Sequence, residues 1–193
     1  MLHEQRVITM DDATSLADLF NERCIRTPGG LAYVQYRDGE WRNFTWEQTR
    51  DEVARWQAAM LNDGLQPGDR VAIMCSNSWD WVVCDQAAQG LGLVTVPVYT
   101  NDREQNIAWI LTDSGASMLM VGTIEQWDSL AALHEQLGKL RRVLCLEAGA
   151  TGTENLRTLS TWLPDDSSGY HCQPGASDSL ATIVYTSGTT GRP

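Results

Sequence analysis

The chain has 193 residues, 42% of them hydrophobic, and its 25 Asp and Glu outnumber 14 Lys and Arg for a formal net charge of −11. That length allows a sizeable core and sits near the upper end of one ordinary domain, so a single α/β unit is expected. The acidic balance, with no Lys/Arg-rich run, excludes nucleic acid as a partner because its binders present a basic face.

Residues 1–14 mix His3, Glu4, Arg6, Asp11 and Asp12 without an apolar stretch, and they read as a leader rather than a secretory signal. A helix is predicted from Leu16 to Cys24, with Leu16, Leu19, Phe20 and Cys24 on one face and Ser15 and Asp18 as its capping pair. Thr27-Pro28-Gly29-Gly30 ends it. Leu31–Tyr36 and Trp41–Phe44 flank Asp38-Gly39, the pattern of a β-hairpin. Thr45 and Gln48 then open a longer helix, with Val53, Trp56 and Met60 as its apolar stripe and Gly64 as its terminator.

From there strands and helices alternate. Pro67-Gly68-Asp69 turns into an apolar strand, Val71–Cys75, and Asn77 or Ser78 caps a helix running through Gln89. Leu93–Val98 is a second buried strand. Asp102 and Gln105 start a helix carrying Ile107, Ile110 and Leu111, closed by Gly115. Met118–Val121 is the third strand, Thr123 and Gln126 cap a helix carrying Trp127, Leu130, Ala131 and Leu137, and Val143–Leu146 is the fourth strand. Residues 147–179 are rich in Gly, Thr, Ser, Asp and Pro and read as a long excursion, with one or two helical turns around the apolar patch Leu156–Leu163. A fifth strand, Leu180–Tyr185, follows. Alternation of this kind makes a mostly parallel sheet with helices on both faces. The expected division is a 15–146 α/β core, a 147–179 excursion and a 180–193 strand with its loop.

Five cysteines, Cys24, Cys75, Cys84, Cys145 and Cys172, are scattered without a Cys-x-x-Cys pair, and they read as reduced structural residues of a cytoplasmic protein. No run reaches the ~18 apolar residues of a membrane-spanning helix. The histidines have no ligand or nucleophile partner at sequence range and read as surface or packing residues. Trp79 and Trp81 are expected in the core, with the lining of a groove for an acyl chain as the alternative reading.

The chain ends on Tyr185-Thr186-Ser187-Gly188-Thr189-Thr190-Gly191-Arg192-Pro193. By composition a terminal Ser/Thr/Gly stretch is a tail, but here it follows a β-branched strand with no spacer. Glycines let backbone N–H groups approach an anion, and hydroxyls add donors. Gly188 and Gly191 are too closely spaced for the Walker pattern, and no lysine follows Gly191. In open α/β sheets ligands bind beyond the carboxyl ends of strands, where this loop is expected. A globally acidic protein can still bind ATP through such a local nest.

The run resembles the phosphate-binding signature of the adenylate-forming (AMP-binding) superfamily at every position from Tyr185 to Pro193. Thr27-Pro28, Gly68-Asp69-Arg70-Val71-Ala72-Ile73 and Asn77-Ser78-Trp79-Asp80-Trp81 also resemble its motifs, so the similarity covers Ser15 to Pro193. Val96-Pro97-Val98-Tyr99-Thr100, Ala108-Trp109-Ile110-Leu111 and Asp113-Ser114-Gly115-Ala116 look most like bacterial long-chain fatty acid–CoA ligases.

The resemblance implies that Thr186, Ser187, Gly188, Thr189, Thr190 and Gly191 hold the β- and γ-phosphates of ATP. Mg2+ is implied without a particular hydroxyl to bind it, and CoA as co-substrate. The implied reaction converts a fatty acid to an acyl-adenylate and then to acyl-CoA. An amino-acid or aryl-acid adenylating domain, or a non-catalytic nucleotide-binding or assembly module, stays open. The family's later lysine, adenine, ribose and CoA motifs are not in this sequence, so the expectation is the N-terminal part of a larger AMP-binding domain, inactive by itself. A homodimer through an open sheet edge and peripheral contact of the longer parent protein with the inner membrane surface also stay open.

Overall fold

The computed structural model describes residues 7–150, 155–166, 169–173 and 178–186. Its early helices begin where the sequence supplies caps. Helix α1 (Leu16–Arg26) has Ser15 as N-cap: the Ser15 hydroxyl accepts the Asp18 N–H, and the Asp18 carboxylate accepts the Ser15 N–H. Two otherwise orphaned donors are satisfied reciprocally. Strands β1 (Leu31–Arg37) and β2 (Glu40–Thr45) pair antiparallel across Asp38 and Gly39, whose φ values of 56° and 87° are those of a two-residue hairpin turn. Helix α2 (Trp46–Asn62) repeats the capping box with Thr45 and Gln48.

The remaining elements are β3 (Arg70–Met74), α3 (Trp79–Gly90), β4 (Val94–Pro97), α4 (Glu104–Ser114), β5 (Ala116–Val121), α5 (Ile124–Asp128), a 3₁₀ helix (Ala131–Leu137), β6 (Arg142–Cys145), β7 (Leu156–Thr158) and α6 (Leu159–Trp162). A five-stranded parallel sheet has the order β4-β3-β5-β6-β7. Its side chains alternate between two cores. Val71, Ile73, Met118, Met120 and Leu144 pack under α1, α2, α3 and α6. Ala72, Met74, Leu119, Val121, Val143 and Cys145 pack under α4, α5 and the 3₁₀ helix. Because both faces are covered, these strands are continuously apolar rather than alternating. The expected α/β fold with helices on both faces is what the chain adopts.

Four details differ from expectation. Helix α4 is capped at Arg103, not Asp102. The Asp102 carboxylate instead accepts the Arg103 N–H and the Asn106 side-chain amide, each at 2.8 Å. The single helix expected after Thr123 divides into α5 and the 3₁₀ helix. There Leu130 N–H bonds to Trp127 C=O and Leu133 N–H to Leu130 C=O. The tighter pitch brings Trp127, Leu130 and Leu137 onto one buried side, with His134 stacked on Trp127 at 4.0 Å.

The 147–179 excursion contains a fifth sheet strand: Val143, Leu144 and Cys145 pair with Leu156, Arg157 and Thr158. Three residues carry no readable period. Finally, 180–185 is extended but joins the sheet only by the parallel bridge Thr95↔Thr182, with Thr95 N–H to Ala181 C=O at 3.1 Å and Ile183 N–H to Thr95 C=O at 2.9 Å. The next ladder donor would be Pro97, which has no N–H, so pairing stops there.

A buried polar clamp organises another stretch without regular structure. Gln57, fully buried on α2, donates to His171 C=O and accepts His171 N–H, both at 2.8 Å. Gln173 N–H bonds to Gly90 C=O at 2.9 Å, and a Cβ on Gly90 would stand 2.6 Å from His171 C=O. Only glycine permits that approach.

Candidate functional site

Beyond the carboxyl ends of β3 and β4 lies a cleft of about 300 Å³, walled by Cys75, Asn77, Trp81, Tyr99 and Tyr185 among others. The α3 N-cap sets one wall, since the Ser78 hydroxyl accepts the Trp81 N–H at 3.1 Å and so starts the helix at the cleft's edge. Val184 and Tyr185 form the opposite wall. They are placed by what precedes them: the Thr182 hydroxyl donates to Thr95 C=O at 2.9 Å, and the Gln89 amide donates to Ala181 C=O at 3.0 Å.

Tyr185, at the end of the extended segment, anchors on helix α4. Its hydroxyl donates to Asp113 Oδ2 at 2.7 Å, and its ring meets Trp109 edge to face, with centroids 5.6 Å apart. Burial, with the Asp113 hydrogen bond added, pushes the Tyr185 hydroxyl up to about 12. It is therefore a neutral donor at physiological pH.

Burial also pushes the Cys75 thiol up to about 12, so it stays protonated and unreactive. Cys24, Cys75, Cys84 and Cys145 are buried and Cys172 is half-buried, all as free thiols. On α3, burial raises Asp85 while hydrogen bonds from Thr95, Gln89 and Gln86 oppose the rise.

Of the residues singled out for phosphate, Thr186 is exposed immediately beyond the Tyr185 anchor. Ser187, Gly188, Thr189, Thr190 and Gly191 lie outside the described residues, with Arg192 and Pro193. Trp79 is a packing residue as expected: it stacks on Phe44 at 4.1 Å, and its indole N–H reaches Thr49 Oγ1 at 3.3 Å. Trp81 packs against the core, as expected, and also lines the cleft. His134 and His171 are held by packing and backbone contacts, while His3 lies outside the described residues.

Asp113, Trp109, Gln89 and Thr95 took no part in the sequence-based site. Asp113 stands 72 residues from Tyr185. Its only signal was membership of the Asp-Ser-Gly-Ala run, to which no role attached.

A larger cavity, about 690 Å³, opens at the amino ends of the strands between Met10, Leu16, Leu19, Pro67, Leu93 and Leu180. Among the described residues no charged side chain lines it, so size does not make it the phosphate site.

A model of the family described as AMP-binding enzyme matches residues 20–193. Over 186 residues the chain is 28% identical to a long-chain-fatty-acid–CoA ligase of Mycobacterium bovis, covering 96% of this chain and 31% of that protein. Over 180 residues it is 30% identical to a 2-succinylbenzoate–CoA ligase of a Geobacillus species, covering 93% of this chain and 32% of that protein. The solved structure of acetoacetyl-CoA synthetase from Streptomyces lividans superposes with a TM-score of 0.80 at 22% identity, over 93% of this chain and 29% of that one. That likeness establishes the shared fold. The chain spans about a third of the length of the curated relatives it matches. With the family model covering all but the first residues, the chain belongs to the AMP-binding enzyme family.

Proposed function

We propose that this chain supplies the phosphate-holding part of an adenylate-forming acid–CoA ligase. The observation that carries the reading is the Tyr185–Pro193 signature, entered from an extended segment beside the carboxyl end of a parallel strand. Thr186, Ser187, Thr189 and Thr190 donate hydroxyl or backbone N–H hydrogen bonds to the β- and γ-phosphates of ATP, and Gly188 and Gly191 let the backbone come close. A substrate carboxylate then attacks the α-phosphate, pyrophosphate leaves, and the thiol of CoA displaces AMP from the acyl-adenylate. The loop's contribution is positioning and charge stabilisation of the leaving pyrophosphate.

Mg2+ bound to the triphosphate would neutralise part of its charge. Among the described residues no group of three or more His, Cys, Asp or Glu is placed to hold a metal. In this reading the ion comes with the nucleotide, and a hydroxyl of the loop would offer it an oxygen, with no particular one assigned.

For the acid we propose a long-chain fatty acid, on the Val96–Thr100 and Ala108–Ala116 resemblance and the 28% identity to a long-chain ligase. A ring-bearing acid is the second reading, favoured by the 30% identity to a 2-succinylbenzoate–CoA ligase. Pyrophosphate release across fatty acids of increasing length, with aryl acids and amino acids as controls, separates these readings. It is measured on the protein joining this sequence to the rest of an AMP-binding domain. Activity that rises with chain length supports the first reading, and equal activity on all fatty acids overturns it. The 193-residue chain by itself is proposed to hold phosphate without forming acyl-AMP. ATP–pyrophosphate exchange by it with any acid would overturn that.

A further inference from the structure

The Ser/Thr/Gly run begins one residue after Tyr185, and the sheet holds its approach only weakly. The last ladder bond is Ile183 N–H to Thr95 C=O, and Pro97 has no N–H to offer the next carbonyl. Past that point the tie comes from helix α4. Trp109 and Asp113 are four residues apart on that helix and therefore share a face. Trp109 meets the Tyr185 ring edge to face with centroids 5.6 Å apart, and Asp113 accepts its hydroxyl at 2.7 Å. Ring and hydroxyl together remove the freedom that a single contact would leave.

The chemistry of Asp113 points the same way. It lies in the last turn of α4, where no basic residue stands. A carboxylate there opposes the helix macrodipole, so helix formation gives no reason for it. A charge-assisted bond to a phenol does.

We propose that Asp113 is a positioning residue for the phosphate loop, fixing the Tyr185 side chain at the point where the chain enters it. This rests on reading residues 186–191 as that loop. Its physical content is preorganisation: a loop held at its entry pays less ordering entropy on binding. The Tyr185 hydroxyl, pushed up to about 12 chiefly by burial, keeps its proton at every physiological pH.

The test is calorimetric titration of inorganic pyrophosphate, with Mg2+ present, into the chain and four variants. Asp113→Ala and Tyr185→Phe are each expected to weaken binding by about three- to ten-fold. The double variant should be no weaker than either single one, because both remove the same bond. Asp113→Asn keeps a carbonyl acceptor and should recover most of the affinity. Melting temperatures should move little, since Asp113 is exposed and Tyr185 only half-buried.

Tyr185→Phe keeps the ring on Trp109, so it answers the question even if Asp113→Ala disturbs the helix. Wild-type affinity in Tyr185→Phe, or losses that add in the double variant, overturns the positioning role while leaving the phosphate loop intact. A wild-type chain that binds no pyrophosphate instead removes the phosphate reading, and the positioning role with it.

Discussion

Strand β5 (Ala116–Val121) and the segment 180–185 are both six residues long and both apolar, yet one is a strand and the other is not. Every β5 residue is buried, because β3 and β6 pair with it and a helical layer covers each face. In 180–185, Leu180 and Val184 are 60% and 63% exposed, and pairing amounts to one bridge. Apolar runs of equal length give a buried strand where neighbours exist on all sides, and a tethered segment where they do not. The signature begins on the tethered side, where a loop has room to receive a ligand.

This contrast sets an order of mutational effects. Leu119→Ala, in the middle of β5 and fully buried, should cost about 3 kcal/mol by loss of transfer energy and the cavity left. Denaturant unfolding measures it, and a cost no larger than that of a surface site would break the comparison. Next comes Asp63→Ala. The Asp63 carboxylate receives Arg142 and the Trp162 indole N–H, the latter at 2.7 Å, with Asp63 10% and Arg142 16% exposed. Removing it leaves the guanidinium with the Asn155 carbonyl and the indole N–H without Asp63, at about 2 kcal/mol. Thermal unfolding should show the loss, and Asp63→Asn should recover only part of it.

Effects in the tethered segment should be smaller and local. Thr182→Val deletes the hydroxyl donated to Thr95 C=O, worth about 1 kcal/mol or less. Amide exchange should quicken at Ile183 without moving the global unfolding midpoint; a shift of that midpoint would mean the segment is part of the cooperative core.

Smallest is a pH effect on Tyr185, whose hydroxyl is raised from 10.0 to about 12. A raised folded value means the contribution is complete below pH 10 and disappears as pH climbs towards 12. The growth of phenolate absorbance, followed in wild type and Tyr185→Phe, should show one residue titrating late together with a change in Trp109 fluorescence. Titration at the ordinary value would mean that Asp113 does not hold it.

Much of the fold was legible before any coordinates. Ser15 with Asp18, Thr45 with Gln48 and Thr123 with Gln126 each announced a helix start, because capping is a contact between residues three apart. Asp38-Gly39 announced the hairpin for the same local reason. β7 was not legible, since a three-residue strand owes its existence to the edge of β6 rather than to its own pattern. Gln57 was equally silent: a helix-interior glutamine gives no sign that residue 171 will come back to it. In the site, Thr186 to Gly191 were picked out by residue type and order. The contact of Asp113 and Trp109 with Tyr185 was not legible, because nothing in the Asp113 run points 72 residues downstream.

The sequence by itself determined where helices start, where turns fall, which strands are buried, the superfamily signature and the family it announces. All of these depend on contacts within a few residues or on residue order. Tertiary structure decided which neighbour each strand acquires, that the last one stops at Pro97, and that helix α4 rather than the sheet anchors Tyr185. Those outcomes depend on distant segments meeting in space, where a missing N–H on one strand and a carboxylate on another helix settle what an apolar run becomes.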